Sequence, residues 1–222
     1  MKILAVGAHP DDVELGCGAT LLRHHAQGDD VTVLVMTEGG RGELDGMSRQ
    51  AEQEDAARRL GATLRWAGFD DGHVPSGPEA ISVIDQALAE SGATVLYTHA
   101  PDDTHQDHRA TATASLAAGR RVPTILHYET PSTQHFEPSV YVDVSEYLEG
   151  KLAAVRSHLS QVLRAGPVDL DSLTAQARFR GTQGRVHDAE AFVTARLAWD
   201  LSSPIAAPVA APATITALHS VG

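Results

Sequence analysis

Residues 1–20 read MKILAVGAHPDDVELGCGAT. Ile3, Leu4, Ala5 and Val6 form a short apolar run backed by Gly7, the pattern of a strand buried on both faces of a parallel sheet. The run stops at His9-Pro10-Asp11-Asp12, three ionisable groups beside a residue whose ring fixes φ. Val13, Leu15, Ala19, Leu21 and Leu22 follow at broadly helical spacing, with Asp11 or Asp12 placed as N-cap. Strand, tight polar turn and helix in that order put an imidazole and two carboxylates at the carboxyl end of a strand. Open α/β sheets build their sites there.

Imidazole and carboxylate side by side suit a borderline-soft divalent cation. Two ligands do not hold a catalytic metal, so a third is expected elsewhere. The second polar cluster, THAPDDTHQDH at residues 98–108, supplies candidates and follows another buried strand, Thr94-Val95-Leu96-Tyr97. Two parallel strands delivering His and Asp to one edge make a mononuclear His/Asp/His site.

Outward from these clusters the chain alternates strand and helix. Strands are expected at Asp30–Met36, Thr63–Phe69, Thr124–Tyr128 and Tyr141–Val144. Helices are expected at Ser48–Leu60 (Ser48 as N-cap, Gly61 at the end), Pro78–Glu90, Arg109–Ala118, Tyr147–Val162, Leu170–Arg180 and His187–Leu201. The Gly-rich loop Thr37–Glu43 lacks the signature of a phosphate or dinucleotide loop. Its Arg41 either reaches substrate or shapes the pocket, or is simply exposed. Arg49 lies in the first turn of its helix, where a cation opposes the macrodipole, so it is either there for another purpose or a solvated surface arginine. His73, in the turn after the third strand, either approaches the site or is simply exposed, and His24 and His25 are expected to be exposed. Together these elements specify a three-layer α/β/α, Rossmann-like fold with a largely parallel sheet of about five to seven strands. Residues 1–202 are expected to form a single α/β domain, and 203–222 an Ala/Pro-rich tail.

The chain has 222 residues, a formal charge of −12 and 42% hydrophobic residues, with a mean hydropathy of −0.16. That acidity argues against a nucleic-acid or anionic-membrane partner, which would need a basic footprint. A single cysteine, Cys17, excludes an intrachain disulfide and is expected to be a small packed residue. No run approaches a membrane span, and Met1-Lys2 leads straight into the first strand, so the expected location is cytoplasmic.

At this point the sequence resembles the LmbE-like, or PIG-L-type, N-acetylglucosaminyl deacetylases. The resemblance rests on A-H-P-D-D near the start and H-x-D-H after the mid-chain strand. T-x-G-x-x-G at Thr37–Gly42 and R-x-x-E from Arg49 extend it, with V-D-V-S at Val142–Ser145, Ser157 to Gln161, Arg180-Gly181 and A-E-A-F at Ala189–Phe192. It implies a zinc-dependent hydrolase, with Fe²⁺, Co²⁺ or Mn²⁺ as other metals, that removes an N-acyl, most simply N-acetyl, group from a small amino sugar or its conjugate. The family pattern maps the metal ligands to His9, Asp12 and His108. It leaves Asp11 as general base and His105 as electrophile or acid, with Asp107 orienting His105 or raising its pKa. Arg49 would contact the sugar. His99, Asp102 and Asp103 are read as scaffold or pocket rim. Family members also form trimers or hexamers, about which periodicity here says nothing.

The sequence departs from the pattern in one place. Some family members carry an aromatic shortly before H-x-D-H, where this chain has Pro101-Asp102-Asp103-Thr104. Acidic side chains there suit an amine-bearing or neutral substrate. Two other functions fit parts of the pattern: a Rossmann-like ligand-binding module without turnover, and a mononuclear Fe(II) oxygenase. The first needs neither a base nor an electrophile, and the second usually builds its triad on an all-β fold.

Overall fold

The computed structural model describes residues 1–42, 44, 46–163 and 168–198. Its elements in chain order are β1 (Lys2–Gly7), α1 (Asp12–Ala26), β2 (Asp30–Thr37), α2 (Arg49–Leu60), β3 (Thr63–Phe69), α3 (Pro78–Ser91), β4 (Val95–His99), α4 (Gln106–Ala118), β5 (Thr124–Tyr128), β6 (Val140–Asp143), α5 (Leu148–Val155), α6 (Leu159–Val162), α7 (Leu170–Gly184) and β7 (Ala189–Leu197). The strands form one seven-stranded sheet in the order β3-β2-β1-β4-β5-β7-β6. The first five are parallel, and β7 runs antiparallel to both of its neighbours.

Alternation along the central strands explains the three layers. On β1, Ile3 and Ala5 join one core with Val13, Cys17 and Leu21 of α1 and Leu60 of α2. Leu4 and Val6 join the other, with Ile84 and Leu88 of α3 and Ala114 and Ala118 of α4. Val31, Val33 and Val35 of β2 face the first core and Leu34 and Met36 the second. A strand covered on both faces must be apolar along its covered length, and β1 is from Ile3 to Gly7, leaving only Lys2 exposed.

Several helix ends follow their sequence signals. Ser48 Oγ accepts from Ala51 N at 3.4 Å, and Gly61 closes α2 with φ 67°. Three expectations fail. His187–Leu201 reads as helix, yet Ala189–Leu197 is strand β7; Ala, Glu and Arg favour a helix locally, but pairing with β5 and β6 overrides them. Tyr147–Val162 is not one helix but two. The chain leaves α5 so that His158 turns inward, fully buried beside Glu14, while Glu52 takes the free Ser160 N–H at 2.7 Å. His24 is also not exposed, as it bonds to Asp29 at 2.7 Å and the Tyr97 hydroxyl at 2.9 Å. The expected tail, 203–222, lies outside the described residues.

Helix α1 is broken at Cys17 (φ −145°, ψ 17°). Gly16 lies against Tyr128, whose ring a Cβ there would meet at 2.1 Å. A buried ion pair satisfies the backbone freed by the break. Lys151 Nζ donates to Leu15 O at 2.7 Å and to Glu190 at 2.6 Å. Glu190 accepts from Ala19 N and Thr20 N at 3.1 and 2.7 Å. The glutamate of A-E-A-F therefore caps the second half of the helix that begins at the A-H-P-D-D turn.

Candidate active site

Strand order reverses direction at β1, which has β2 on one side and β4 on the other. Such a switch point opens a crevice at the carboxyl ends of the strands. Both polar clusters lie there. His9, Asp11 and Asp12 bridge β1 to α1; His99 ends β4, and His105, Asp107 and His108 begin α4. His9, Asp11, Asp12, Asp107 and His108 are all buried.

Asp12 is the hub. Its Oδ2 lies 3.4 Å from His9 Nδ1, and its Oδ1 lies 3.3 Å from His108 Nε2. Each histidine gives its outer nitrogen to a further carboxylate: His9 Nε2 to Asp107 at 3.1 Å and Asp71 at 3.3 Å, and His108 Nδ1 to Asp103 at 3.2 Å. The result is a chain, Asp107–His9–Asp12–His108–Asp103. Burial opposes the charged form of both imidazoles, but the surrounding carboxylates raise His9 to about 11 and His108 to about 9. Burial likewise works against ionised Asp12, and the His108 and His99 rings outweigh it, holding its carboxyl well below the usual range. Among the described residues three donor groups gather within 4.8 Å: His9/His105/His108, Asp12/His99/His108 and His9/Asp71/Asp107. The expected triad of His9, Asp12 and His108 draws on the first two.

Asp11 is the N-cap of α1 but does not cap it with its side chain. Its φ of 96° is left-handed, a conformation that costs a residue with a Cβ ~1–2 kcal/mol. The carboxylate instead faces Arg49 Nη2 at 3.4 Å. Burial raises this carboxyl to about 6, against the downward pull of the Arg49 charge. Two neighbouring aspartates thus sit in opposite states, Asp12 firmly ionised and Asp11 poised to exchange a proton.

His105 is half-buried, and its Nδ1 accepts from Asp107 N at 3.2 Å. A neutral His105 therefore carries its proton on Nε2. Of the two parts expected of Asp107, orienting His105 or raising its pKa, the rise does not occur. Burial, together with the positive His9 and His108, lowers it. The Asp107 carboxylate serves His9, not His105, and is itself fixed by Gly72 N and Val74 N at 2.7 and 3.1 Å. Asp103, read from sequence as scaffold or rim, is buried scaffold and orients His108. Its carboxylate also accepts from His105 N at 2.8 Å and Thr133 Oγ1 at 3.0 Å.

A cavity of about 400 Å³ opens over these groups, lined also by Arg41, Arg49, Asp71, Gln106, Ser132 and Gln161. Arg41 is exposed, its N–H bonded to Asp71 at 2.9 Å. Arg49 is buried, not a surface residue; it donates to Pro10 O and, at 3.3 Å, to Gly39 O. The two glycines of T-x-G-x-x-G make room for it, since a Cβ at Gly39 or Gly42 would lie 2.6 Å from Arg49 Nη1. R-x-x-E and the Ser157–Gln161 stretch also meet. Glu52 binds Ser160, and Gln161 Nε2 donates to Gly42 O at 2.9 Å. Motifs that were only matches in sequence thus become contacts around one arginine. Asp71 escaped the sequence reading, although the Asp70–His73 turn carried a signal for it. Gln53 and Glu14, which stand behind Asp11, carried none.

The family model for GlcNAc-PI de-N-acetylase (PIG-L) matches residues 4–119, a stretch that holds both clusters. YaiS, an uncharacterised deacetylase of Escherichia coli (strain K12), is 40% identical over 167 residues, covering 71% of this chain and 90% of YaiS. Diacetylchitobiose deacetylase of Thermococcus kodakarensis is 28% identical over 186 residues, covering 72% of this chain and 70% of that enzyme. Among solved structures, the conserved protein TT1542 from Thermus thermophilus superposes with a TM-score of 0.81 at 31% identity, over 92% of this chain and 100% of TT1542. Sequence and fold agree, and the chain belongs to the PIG-L, GlcNAc-PI de-N-acetylase, family.

Proposed function

We propose that this protein is a metal-dependent deacetylase that hydrolyses the N-acetyl amide of an amino sugar or amino-sugar conjugate, releasing acetate and a free amine. The observation that carries the reading is the pair of carboxylate–histidine couples converging on Asp12 beside a second aspartate of raised pKa. Deacetylases among the relatives support the amide, and the diacetylchitobiose enzyme supports an amino sugar. An Fe(II) oxygenase is disfavoured by the mixed α/β sheet.

The donor set fits a divalent cation. Metal-ligating histidines almost always give their other nitrogen to a carboxylate or carbonyl, and both His9 and His108 do so here. His9, Asp12 and His108 would hold the ion, zinc by donor chemistry, with Fe²⁺, Co²⁺ or Mn²⁺ accepted by the same atoms. When bound, the cation supplies Lewis acidity at the amide carbonyl and lowers the pKa of water. Asp11 takes a proton from the attacking water as the C–O bond forms. Neutral His105 offers Nε2–H to the oxygen on which charge develops. Asp11 then returns its proton to the amine as the C–N bond breaks, so one carboxyl acts as base and then acid. Arg49 keeps Asp11 in place and, with Arg41, borders the space for sugar hydroxyls.

The test is metal analysis of the purified protein beside an acetate-release assay on N-acetylglucosamine and N,N′-diacetylchitobiose, with and without chelator. One metal per chain and chelator-sensitive release are expected. Failure to take up metal on repletion would overturn the site, and bound metal with no acetate from any N-acetylated sugar would overturn the reaction.

A further inference from the structure

Helix α2 buries Arg49, Gln53, Ala56, Ala57 and Leu60. Two of these five are polar, one helical turn apart, and both reach the turn between β1 and α1. Arg49 holds Pro10 O and the Asp11 carboxylate. Gln53, fully buried, accepts the Asp11 N–H on Oε1 at 3.1 Å. An amide could flip and present its nitrogen instead, but here it cannot. Its Nε2 donates to Glu14 Oε1 at 2.7 Å, and Glu14 is fully buried too. The Glu14 carboxylate selects the nitrogen, which leaves the oxygen for Asp11. A leucine or methionine at position 53 would complete the apolar stripe of α2 without burying an amide. The polar residue stands where a non-glycine backbone has a positive φ.

We infer that Gln53 is a positioning residue for the reaction: backed by Glu14, it holds the Asp11 backbone in the left-handed conformation that turns the carboxylate off α1 and into the cavity. Left-handed conformations of residues with a Cβ persist only where the surroundings over-determine them. Arg49 grips the Asp11 side chain and Gln53 its main chain, so orientation and backbone are fixed separately. Without Gln53 the N–H of Asp11 has no partner, and the turn is free to relax toward an ordinary N-cap in which the carboxylate binds its own helix. The inference rests on Asp11 being the base.

The test is a double-mutant cycle of Gln53→Met and Asp11→Asn in the metal-loaded enzyme, with kcat, KM, metal content and melting temperature read for each. Gln53→Met is expected to lower kcat about 10- to 100-fold, as a misplaced reacting group does, with KM and metal content within twofold of wild type. In the Asp11→Asn background the same substitution is expected to change the residual rate less than threefold. An unchanged kcat in Gln53→Met overturns the inference. An equal loss in both backgrounds also overturns it, because the effect would then bypass Asp11. Wild-type turnover in Asp11→Asn overturns the reading of the base itself and the inference with it. Amide exchange in the wild-type protein asks the same question should Gln53→Met not fold. A protected Asp11 N–H supports the contact, and free exchange at this N-cap overturns it.

Discussion

The two strand-end clusters meet in one cavity but are built differently. Asp11, at the end of β1, is gripped from outside its own segment: α2 reaches across with Arg49 and Gln53 to hold a backbone that is left-handed. The cluster after β4 is largely fixed from within. His105 caps its own helix, Asp103 binds the backbone of His105 and the ring of His108, and both lie within five residues of it. The carboxyls differ accordingly. Asp11 is pushed up by burial, whereas His9 holds Asp107 below the ordinary range despite its burial, and His108 does the same for Asp103. The first cluster stores an unfavourable state that a proton can relieve, and the second presents settled charges and a neutral donor.

The sharpest way to break this contrast is Asp11→Asn. Loss of a general base typically costs about 10²–10⁴-fold in turnover, and steady-state acetate release should show a loss of that order with metal retained. Metal lost instead would mean that Asp11 and Asp12 have exchanged roles. The stored cost has its own signature. A carboxyl raised to about 6 in the folded protein from 3.8 stabilises the fold below 3.8 and loses that contribution as pH rises through 6. Asp11→Asn should therefore raise the melting temperature of the metal-free protein at pH 8, and the gain should fade as pH drops below 6. A gain that is the same at pH 4 and pH 8 would show that no cost is stored at Asp11.

On the other side, His105→Ala removes a donor from an otherwise intact helix start. Oxyanion donors are worth about 10²–10³-fold in kcat, so the expected loss is next in size, with KM nearly unchanged. Because burial alone already opposes the charged form of His105, activity should not fall as pH rises from 7 to 8. A fall over that range would mean that His105 works as an imidazolium.

Most of the fold could be read in the chain because the central strands are buried on both faces and leave no choice of pattern. Residues 3–6 show this at its plainest. What could not be read depends on partners distant in sequence. β7 contains Ala, Glu and Arg and is a strand only because β5 and β6 flank it. The two clusters could be picked out because a strand end followed by grouped ionisable residues is a local signal, while the choice of His9, Asp11, Asp12, His105 and His108 within them came from the family resemblance. Their supports could not be picked out. Gln53 lies 42 positions from Asp11, and nothing in RQAEQEDAARRL separates its role from that of a surface glutamine. Asp71 joins His9 from a turn whose paired acids were its one signal. The acids preceding H-x-D-H pointed from sequence to substrate charge, yet Asp103 is turned inward to His108.

Arg49 gives the smallest effect and the finest discrimination. The resemblance assigns it to the sugar, in which case Arg49→Met raises KM and leaves the pH profile where it was. The geometry also ties it to Asp11, Pro10 and Gly39. Its charge is what holds the Asp11 carboxyl down against burial. Removing that charge should move the acid limb of kcat/KM to higher pH, because Asp11 must be ionised to take a proton. A neutral side chain of similar length keeps much of the packing between Gly39 and Gly42, so a drop in kcat of about tenfold is the expected scale for lost orientation alone. A raised KM with an unmoved limb would make Arg49 a sugar ligand and leave Gln53 as the sole hold of α2 on the base. A moved limb with an unchanged KM would make both members of the pair on α2 servants of Asp11. In that case the contrast between the two clusters is the difference between a base that must be held from outside and a donor that holds itself.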